Sequence, residues 1–275
     1  MGKNQKVLFY CLWLSLNLIQ SSYTGLLDDE SYYWVYSRFL DWGYFDHPPM
    51  IALLIKIGYA IFPNELGVRL MVAILSTATL WLVQQLLTAK DDKLFYSIAV
   101  SIAVLQLGGI IAVPDVPLLF FTALFFHAYK RFLAGTGILN SLYLAITIAM
   151  LLYSKYHGLL VVLLTIASNP KLILNKRAYL VTLFALILFL PHLYWQYAHG
   201  DCVCRGWYLI TLATILQSVN NSPNPHRSFL LILLGTCVVP PPYLWFQEIV
   251  GRYFRGVSEA LPVSKRCLSL PHNHH

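Results

Sequence analysis

The sequence predicts an all-α integral membrane protein, a bundle of transmembrane helices with an outward-facing first loop that contains juxtamembrane helices. Hydrophobic residues make up 58% of the chain and charged residues only 11%, whereas soluble domains carry roughly 25% charged residues. Apolar runs approach the length of about 20 residues that a membrane helix requires. Basic residues fall in short clusters between these runs, which is typical of polytopic membrane proteins.

The first apolar run covers residues 7–22 and follows Lys3 and Lys6, as the apolar core of a signal peptide would. The residues after it, Ser21-Ser22-Tyr23-Thr24, form a poor small-residue cleavage site. We therefore predict an uncleaved first membrane span.

The predicted first loop follows at residues 23–49. Its polar, aromatic-rich part, residues 28–49, is called the acidic loop here. Five of the twelve carboxylates fall within nineteen residues of it. Such a segment is too polar to cross a bilayer, so we interpret it as the first extramembrane loop. Its carboxylates are Asp28, Asp29, Glu30, Asp41 and Asp46, and its aromatic residues include Tyr32, Tyr33, Trp34, Tyr36, Trp42, Tyr44 and Phe45.

The apolar run after the acidic loop, residues 50–63, has only fourteen residues. A run of that length suits an interfacial or re-entrant helix better than a span. Six later runs are long enough to be predicted spans, although Asn169, Pro170 and Lys171 interrupt one of them. These six runs are residues 66–88, 94–113, 116–133, 138–154, 157–174 and 178–198.

The distribution of charge supports this assignment. If residues 50–63 do not span, nine basic residues collect on one side of the membrane, and the acidic loop, Asp115 and Lys155 lie on the other. An excess of Lys and Arg marks the cytoplasmic side, so the acidic loop is predicted to face outward. The nine basic residues are Lys3, Lys6, Lys90, Lys93, Lys130, Arg131, Lys171, Lys176 and Arg177.

The composition changes near residue 200. Four of the five cysteines lie beyond it, prolines cluster there, and the two apolar runs at residues 208–217 and 229–239 are short for spans. We expect residues 1–200 to be the transmembrane portion and residues 201–275 a divergent tail, truncated or frameshifted. Cys202 and Cys204 lack the C-x₂-C spacing of common zinc sites, so no metal or disulfide is assigned to them. The formal charge of +7 does not indicate nucleic acid, because it forms no continuous basic stripe.

Four polar motifs follow one another along the chain: Asp29-Glu30-x-Tyr32-Tyr33-Trp34, Gly43-Tyr44-Phe45-Asp46-His47-Pro48-Pro49, Pro114-Asp115-Val116-Pro117-Leu118 and Ser154-Lys155-Tyr156. They resemble those of GT-C glycosyltransferases, in the branch of the bacterial dolichyl-phosphate-mannose–protein mannosyltransferase-like and aminoarabinose transferase-like enzymes. The resemblance covers about residues 5–200, with the motifs in a consistent order. An Asp-Glu pair alone would be a weak signal, and its coupling to the second motif makes it specific.

The resemblance implies an enzyme of the bacterial inner membrane. Such an enzyme moves a sugar from a polyprenyl-phosphate donor, with inversion, to a protein, lipid or glycan acceptor on the periplasmic side. By position, Asp29 is the catalytic base and Asp46 lies in the same active site. His47 stands where the aminoarabinose branch often has a Lys that helps to hold the lipid phosphate. The expected substrate-binding residues are Glu30, Tyr33, His47, Asp115 and Lys155.

The carboxylates of the acidic loop also have structural explanations. Inverting transfer requires one base that accepts the proton of the acceptor, and such bases contribute roughly 10²–10⁴-fold to the rate. Asp29 could instead cap a helix, with Glu30 in its first turn, while Asp28 is assigned to capping or solvent. Asp46, next to His47, could orient the acceptor or join Asp29 around a divalent cation, since carboxylate and imidazole are ordinary ligands. The Asp46-His47 pair could equally belong to a simple turn.

The outward-facing residues beyond the loop have alternatives too. Asp115 could face the active site or cap the helix that follows it. Lys155 lies against the positive-inside trend, so its partner is either a lipid phosphate or a structural carboxylate. Arg69 is expected to pair with the acidic loop. The aromatic residues of the loop can stack on sugars or form an interfacial belt.

Two other functions compete with the glycosyltransferase hypothesis. A transporter would place charges at mid-membrane and often break its helices there, whereas these carboxylates lie in an outer loop. An inactive fragment of a glycosyltransferase is favoured if the sequence beyond residue 200 is a reading-frame artefact. The sugar and the acceptor are not predicted.

Overall fold

The computed structural model describes the backbone of residues 2–44, 46–87, 91–102 and 109–220. Side chains are described up to residue 199, apart from that of Lys3. The chain divides into two compact units, Met1–Ala198 and His199–His275. The first unit contains everything discussed below. In the second, the described residues 199–220 are helical, and the apolar run 229–239 and most of the tail lie outside the described residues.

All regular structure in the described residues is helical, as the sequence predicts. A short 3₁₀ helix, Pro170–Leu174, lies between α8 and α9. The helices are α1 (Lys3–Tyr23), α2 (Asp28–Arg38), α3 (Met50–Ile61), α4 (Glu65–Leu86), α5 (Asp92–Ser101), α6 (Asp115–Ala134), α7 (Ile138–Ser154), α8 (Gly158–Ser168) and α9 (Lys176–Asn220).

Among the described residues, three helices are long and apolar enough to cross a bilayer: Glu65–Leu86, Asp115–Ala134 and Lys176–His199. They coincide with the predicted spans 66–88, 116–133 and 178–198. The predicted spans 7–22 and 138–154 lie within α1 and α7, neither of which is among these three helices. Helix α3 has twelve residues and is about 18 Å long, which is too short for a bilayer core of about 30 Å.

Two predicted spans are not continuous helices. The run 157–174 divides into α8 and the 3₁₀ helix because Pro170 disfavours the α conformation at Asn169. In the run 94–113, α5 ends at Ser101, and residues 103–108 lie outside the described residues. The backbone at Ala112 is not helical, and its N–H donates to the carboxylate of Glu30 instead.

Side-chain contacts divide the loops into two groups, one at each end of the bundle. The acidic end joins α2 to the starts of α4 and α6, with the Glu30–Arg69 and Asp115–Lys155 pairs. The basic end contains the Lys6–Asp92 pair. There Arg177, at the start of α9, donates to the carbonyl of Gly135, just after α6. This grouping agrees with the alternation of loops predicted from the charges.

The acidic loop rests on a core built from α3, α4, α6 and α7. Helices α3 and α4 approach so closely that a Cβ on Gly58 would lie 2.2 Å from the carbonyl oxygen of Gly67. Glycine at this crossing therefore lets the short helix pack tightly against the long one. The main apolar cluster beneath the loop includes Tyr33, Ile51, Ile55, Val68, Val72, Val116 and Tyr153.

Candidate active site

The first turn of α2 separates the acids of the Asp-Glu motif. The helix begins at Asp28, and its N-cap residue is Leu27, so Asp29 is not the cap. Asp28 and Asp29 are exposed, and neither makes a hydrogen bond or ion pair with a described residue. Glu30, one position on, is fully buried. Successive side chains of a helix point about 100° apart, so one acid turns inward while its neighbour faces solvent.

Glu30 is held by a buried ion pair. Its Oε1 accepts from Arg69 Nε at 2.7 Å, and its Oε2 accepts from Arg69 Nη2. The same carboxylate accepts the backbone N–H of Ala112 at 2.8 Å and that of Leu27 at 2.9 Å. Four donors therefore occupy the carboxylate. The expectation that Arg69 pairs with the acidic loop is confirmed.

Arg69 also ties the end of α1 to this pair. Its guanidinium donates to the carbonyls of Ser21, Thr24 and Gly25, at 3.3, 2.7 and 2.8 Å. A planar guanidinium presents five donors in a fixed fork, so one side chain fixes the α1–α2 connection relative to α4. Asp29 stands next to this anchor.

Asp46 lies against α2 from the other side of the loop. Its Oδ1 accepts from the hydroxyls of Tyr32 at 3.0 Å and Tyr36 at 3.3 Å. Burial, together with the charge of Asp46, raises the pKa of the Tyr32 hydroxyl, so this group stays protonated and remains a donor. His47 Nδ1 is 2.9 Å from Asp46 Oδ2 but lacks the alignment of a hydrogen bond.

Tyr44 fixes the turn of the loop. Its ring stacks on Tyr36 with a centroid distance of 4.0 Å. Its hydroxyl donates to the carbonyl of Tyr36 at 3.0 Å and accepts the N–H of Asp41, and burial raises its pKa to about 12. Its backbone N–H donates to the carbonyl of His47. The turn that presents Asp46 is thus held by stacking and by three hydrogen bonds.

Tyr33 is a buried residue of α2. Burial, and then the charges of Asp46, Asp29 and Asp115, raise the pKa of its hydroxyl. The Tyr33 ring meets His47 edge-on at 5.4 Å, and its hydroxyl makes no hydrogen bond to a described residue.

Asp115 and Lys155 form a second ion pair. Lys155 Nζ lies 2.8 and 3.0 Å from the two carboxylate oxygens of Asp115. Of the two partners foreseen for Lys155, the structure shows a carboxylate. Asp115 occupies the first turn of α6, where a negative charge stabilises a helix, and its side chain is 56% exposed.

A divalent cation at Asp46 and His47 remains a prediction. These two residues offer carboxylate and imidazole, which suit such an ion. Within the described residues, however, no group of three His, Cys, Asp or Glu side chains could hold a metal. The two tyrosine hydroxyls already occupy one oxygen of Asp46.

Sequence reasoning missed a chain of hydrogen bonds from α9 to the acidic loop. Gln196 donates to the Tyr156 hydroxyl at 2.6 Å, and that hydroxyl lies 3.2 Å from His192 Nε2. His192 Nδ1 lies 2.7 Å from the carbonyl of Trp42. A carbonyl only accepts, so Nδ1 carries the proton and Nε2 accepts from Tyr156. An ionisable residue inside an apolar span is the signal that could have identified His192.

The loop also packs closely on α9 at Gly43. A Cβ there would lie 2.4 Å from the indole ring of Trp195, so only glycine fits without moving the ring. The glycine of the second motif thus permits the close approach of Trp195, beside the contact that His192 makes with Trp42.

Comparison with known proteins identifies a family for this chain. The family profile described as dolichyl-phosphate-mannose-protein mannosyltransferase matches residues 46–195, more than half of the chain. The matched range includes Asp46, Asp115 and Lys155, and begins after Asp29.

A curated relative extends the comparison. The lipid A galacturonosyltransferase RgtD of Rhizobium johnstonii is 24% identical over 214 residues, covering 72% of this chain and 44% of the relative. The chain thus spans less than half the length of that relative. No solved structure gives a significant match. With the family profile matching more than half of an all-helical membrane chain, this protein belongs to the dolichyl-phosphate-mannose-protein mannosyltransferase family of GT-C glycosyltransferases.

Proposed function

We propose that this chain carries the catalytic base of a glycosyltransferase that moves a sugar, with inversion, from a polyprenyl-phosphate donor to an acceptor on the periplasmic side of the bacterial inner membrane. The observation that supports this most directly is the difference in environment between the two acids of the Asp-Glu motif. Glu30 is buried and occupied by four donors, whereas Asp29 is exposed and unpaired among the described residues. A base needs a free carboxylate at a fixed position.

The chemical step uses Asp29 alone as the base. The acceptor hydroxyl attacks the anomeric carbon from the face opposite the phosphate, and a new C–O bond forms as the bond to the phosphate oxygen breaks. The polyprenyl phosphate leaves with the electron pair, and the carboxylate of Asp29 takes the acceptor proton. A phosphate is already a stable anion, so no strong general acid is required.

The other residues position the substrates in this proposal. Lys155 can exchange Asp115 for the donor phosphate, because both partners are anionic and the pair is partly exposed. Asp46 and Tyr33 orient the acceptor beside Asp29, and His47 lies within the same group. Glu30 contributes by fixing the first turn of α2, not by contact with substrate.

The names of family and relative suggest the substrates to try first. The family description specifies a dolichyl-phosphate-mannose donor and a protein acceptor, and the relative is named for galacturonic acid and lipid A. Polyprenyl-phosphate mannose and polyprenyl-phosphate galacturonic acid are therefore the donors to test, each with a protein fraction and with lipid A as acceptors.

Asp29→Asn tests the proposal in proteoliposomes that contain the full chain. The substitution keeps the shape of the side chain and removes its basicity, so we expect turnover to fall roughly 10²–10⁴-fold with little change in donor KM. The measurement is the rate at which labelled sugar is transferred from each donor to each acceptor.

Asp28→Asn is the matched control, because Asp28 is the neighbouring carboxylate, equally exposed and in the same helical turn. It should retain most of the turnover. If Asp28→Asn lowered turnover more than Asp29→Asn at equal protein level, the assignment of the base would be wrong by one residue. Unchanged turnover in both variants would contradict the proposed mechanism, because neither carboxylate would then be the base.

A further inference from the structure

A cleft at the basic end of the bundle lies far from the acidic loop. It has a volume of about 210 Å³ and opens between α6, α7, α8, the 3₁₀ helix and the start of α9. Its lining is almost entirely apolar and includes Phe125, Phe132, Leu144, Ile148, Val162 and Val181. The exposed side chains of Leu174 and Tyr179 stand beside it, 85% and 62% accessible.

Three of the segments that line the cleft carry a positive charge beside a lining residue: the end of α6, the 3₁₀ helix and the start of α9. Lys130 follows the lining residue Tyr129, and Arg131 precedes Phe132. Lys171 precedes the lining residue Leu172, and Lys176 lies two positions before Ala178, which also lines the cleft. The cations therefore surround the mouth of an apolar cleft.

These four cations are exposed and make no hydrogen bond or ion pair with another described residue. No Asp or Glu occurs between Asp115 and Asp201. At the basic end, Asp91 and Asp92 belong to the region of α5, where Asp92 pairs with Lys6. The mouth of the cleft thus has a surplus of positive charge without a protein counter-ion in the described residues.

Arg177 gives the mouth a fixed wall. Its guanidinium donates to the carbonyl of Gly135 at 2.6 Å and lies 4.7 Å from the centroid of the Phe132 ring. The start of α9 is thereby held against the end of α6. An apolar slot with a fixed wall and a free cationic rim is complementary to an anionic phospholipid, which offers an acyl chain and a phosphate on one molecule. Basic pockets between membrane helices bind such head groups.

We propose that this cleft is a binding site for an anionic phospholipid of the leaflet at the basic end, with an acyl chain between α6, α8 and α9 and the phosphate on Lys171 and Lys176. The site is separate from the sugar-transfer site and does not depend on the proposed function.

Titration of the detergent-solubilised full chain with phosphatidylglycerol and with phosphatidylcholine, followed by native mass spectrometry, tests this site. Wild-type protein should retain phosphatidylglycerol preferentially. Lys171→Gln with Lys176→Gln should weaken phosphatidylglycerol binding roughly thirtyfold, given the contribution of each surface cation, and leave phosphatidylcholine binding unchanged. Val162→Phe, which fills the cleft, should reduce retention of both lipids.

The matched control is Lys56→Gln with Lys93→Gln, which removes two exposed charges on α3 and α5 away from the cleft. It should keep the preference for phosphatidylglycerol. The proposal fails if the Lys171 and Lys176 variant behaves like this control, or if Val162→Phe retains both lipids like wild type. It also fails if Val162→Phe changes the oligomeric state and not the lipid content, since a second copy of the chain would then cover the cleft.

Discussion

The acidic end contains two ion pairs of the same charge type in opposite environments. Glu30 and Arg69 are both buried, and every strong acceptor site of the carboxylate is used. Asp115 and Lys155 are 56% and 23% exposed and bind only each other among the described residues. The first pair is costly to break, because removing one partner leaves the other charge buried, without a counter-ion or water to solvate it. In the second pair, Lys155 can exchange Asp115 for another partner at little cost, since water solvates the separated charges.

In the proposed function, the two pairs have different tasks. A saturated pair holds the backbone of α1, α2 and Ala112 in one arrangement and offers nothing to a ligand. An exposed pair leaves a cation that can move to an incoming phosphate. The contrast therefore predicts a large loss of stability for the first pair, and a change in substrate binding without loss of stability for the second.

Arg69→Met should give the largest effect. It leaves the Glu30 carboxylate buried without its counter-ion, so we expect the free energy of unfolding to fall by about 3–5 kcal/mol. Denaturant titration in detergent micelles measures this change.

The double variant Arg69→Met with Glu30→Gln serves as the control for that measurement. Removing the stranded charge should recover part of the loss. A loss below about 1 kcal/mol for Arg69→Met would show that the pair behaves like an exposed one.

The sequence was sufficient to predict the helical fold, the grouping of the loops and the pairing of Arg69. These features depend on the alternation of charge and on the lengths of the apolar runs, both of which can be read directly from the sequence. The sequence could not show that Glu30 faces inward and Asp29 outward, because both are acids in the same helical turn. Their environments depend on Arg69 and on Ala112, which is 82 positions from Glu30. His192 was missed because its acceptor, the carbonyl of Trp42, lies 150 positions away.

His192→Phe should have an intermediate effect. Its imidazole is buried and joins the carbonyl of Trp42 to the hydroxyl of Tyr156, so the substitution leaves two polar groups without this partner. We expect a loss of about 1–3 kcal/mol in the free energy of unfolding, measured in the same titration.

Tyr156→Phe is the matched comparison for His192. It retains the ring and the bond between His192 and Trp42, so its effect should be smaller. An equal or larger loss for Tyr156→Phe would indicate that the hydrogen bond between His192 and the carbonyl of Trp42 does not contribute to the free energy of unfolding.

Gly43→Ala tests the contact between the acidic loop and α9. The added methyl would meet the Trp195 ring at 2.4 Å, and overpacking of this kind costs about 1–3 kcal/mol when the neighbour cannot move freely. Gly137→Ala is the control, since nothing lies within 4 Å of a Cβ at that position. Equal thermal stability of the two variants would show that Trp195 moves without cost.

Lys155→Gln should give the smallest change in stability, between about 0 and 1 kcal/mol, because exposed pairs contribute little. If Lys155 binds the donor phosphate as proposed, the same variant should raise the donor KM roughly tenfold, since it removes a charge-assisted hydrogen bond. Asp115→Asn separates the two roles, because it frees Lys155 while leaving its charge in place, so the donor KM should stay equal or fall. A donor KM unchanged in Lys155→Gln, or raised equally in Asp115→Asn, would mean that the pair acts on the structure of the loop and not on the phosphate.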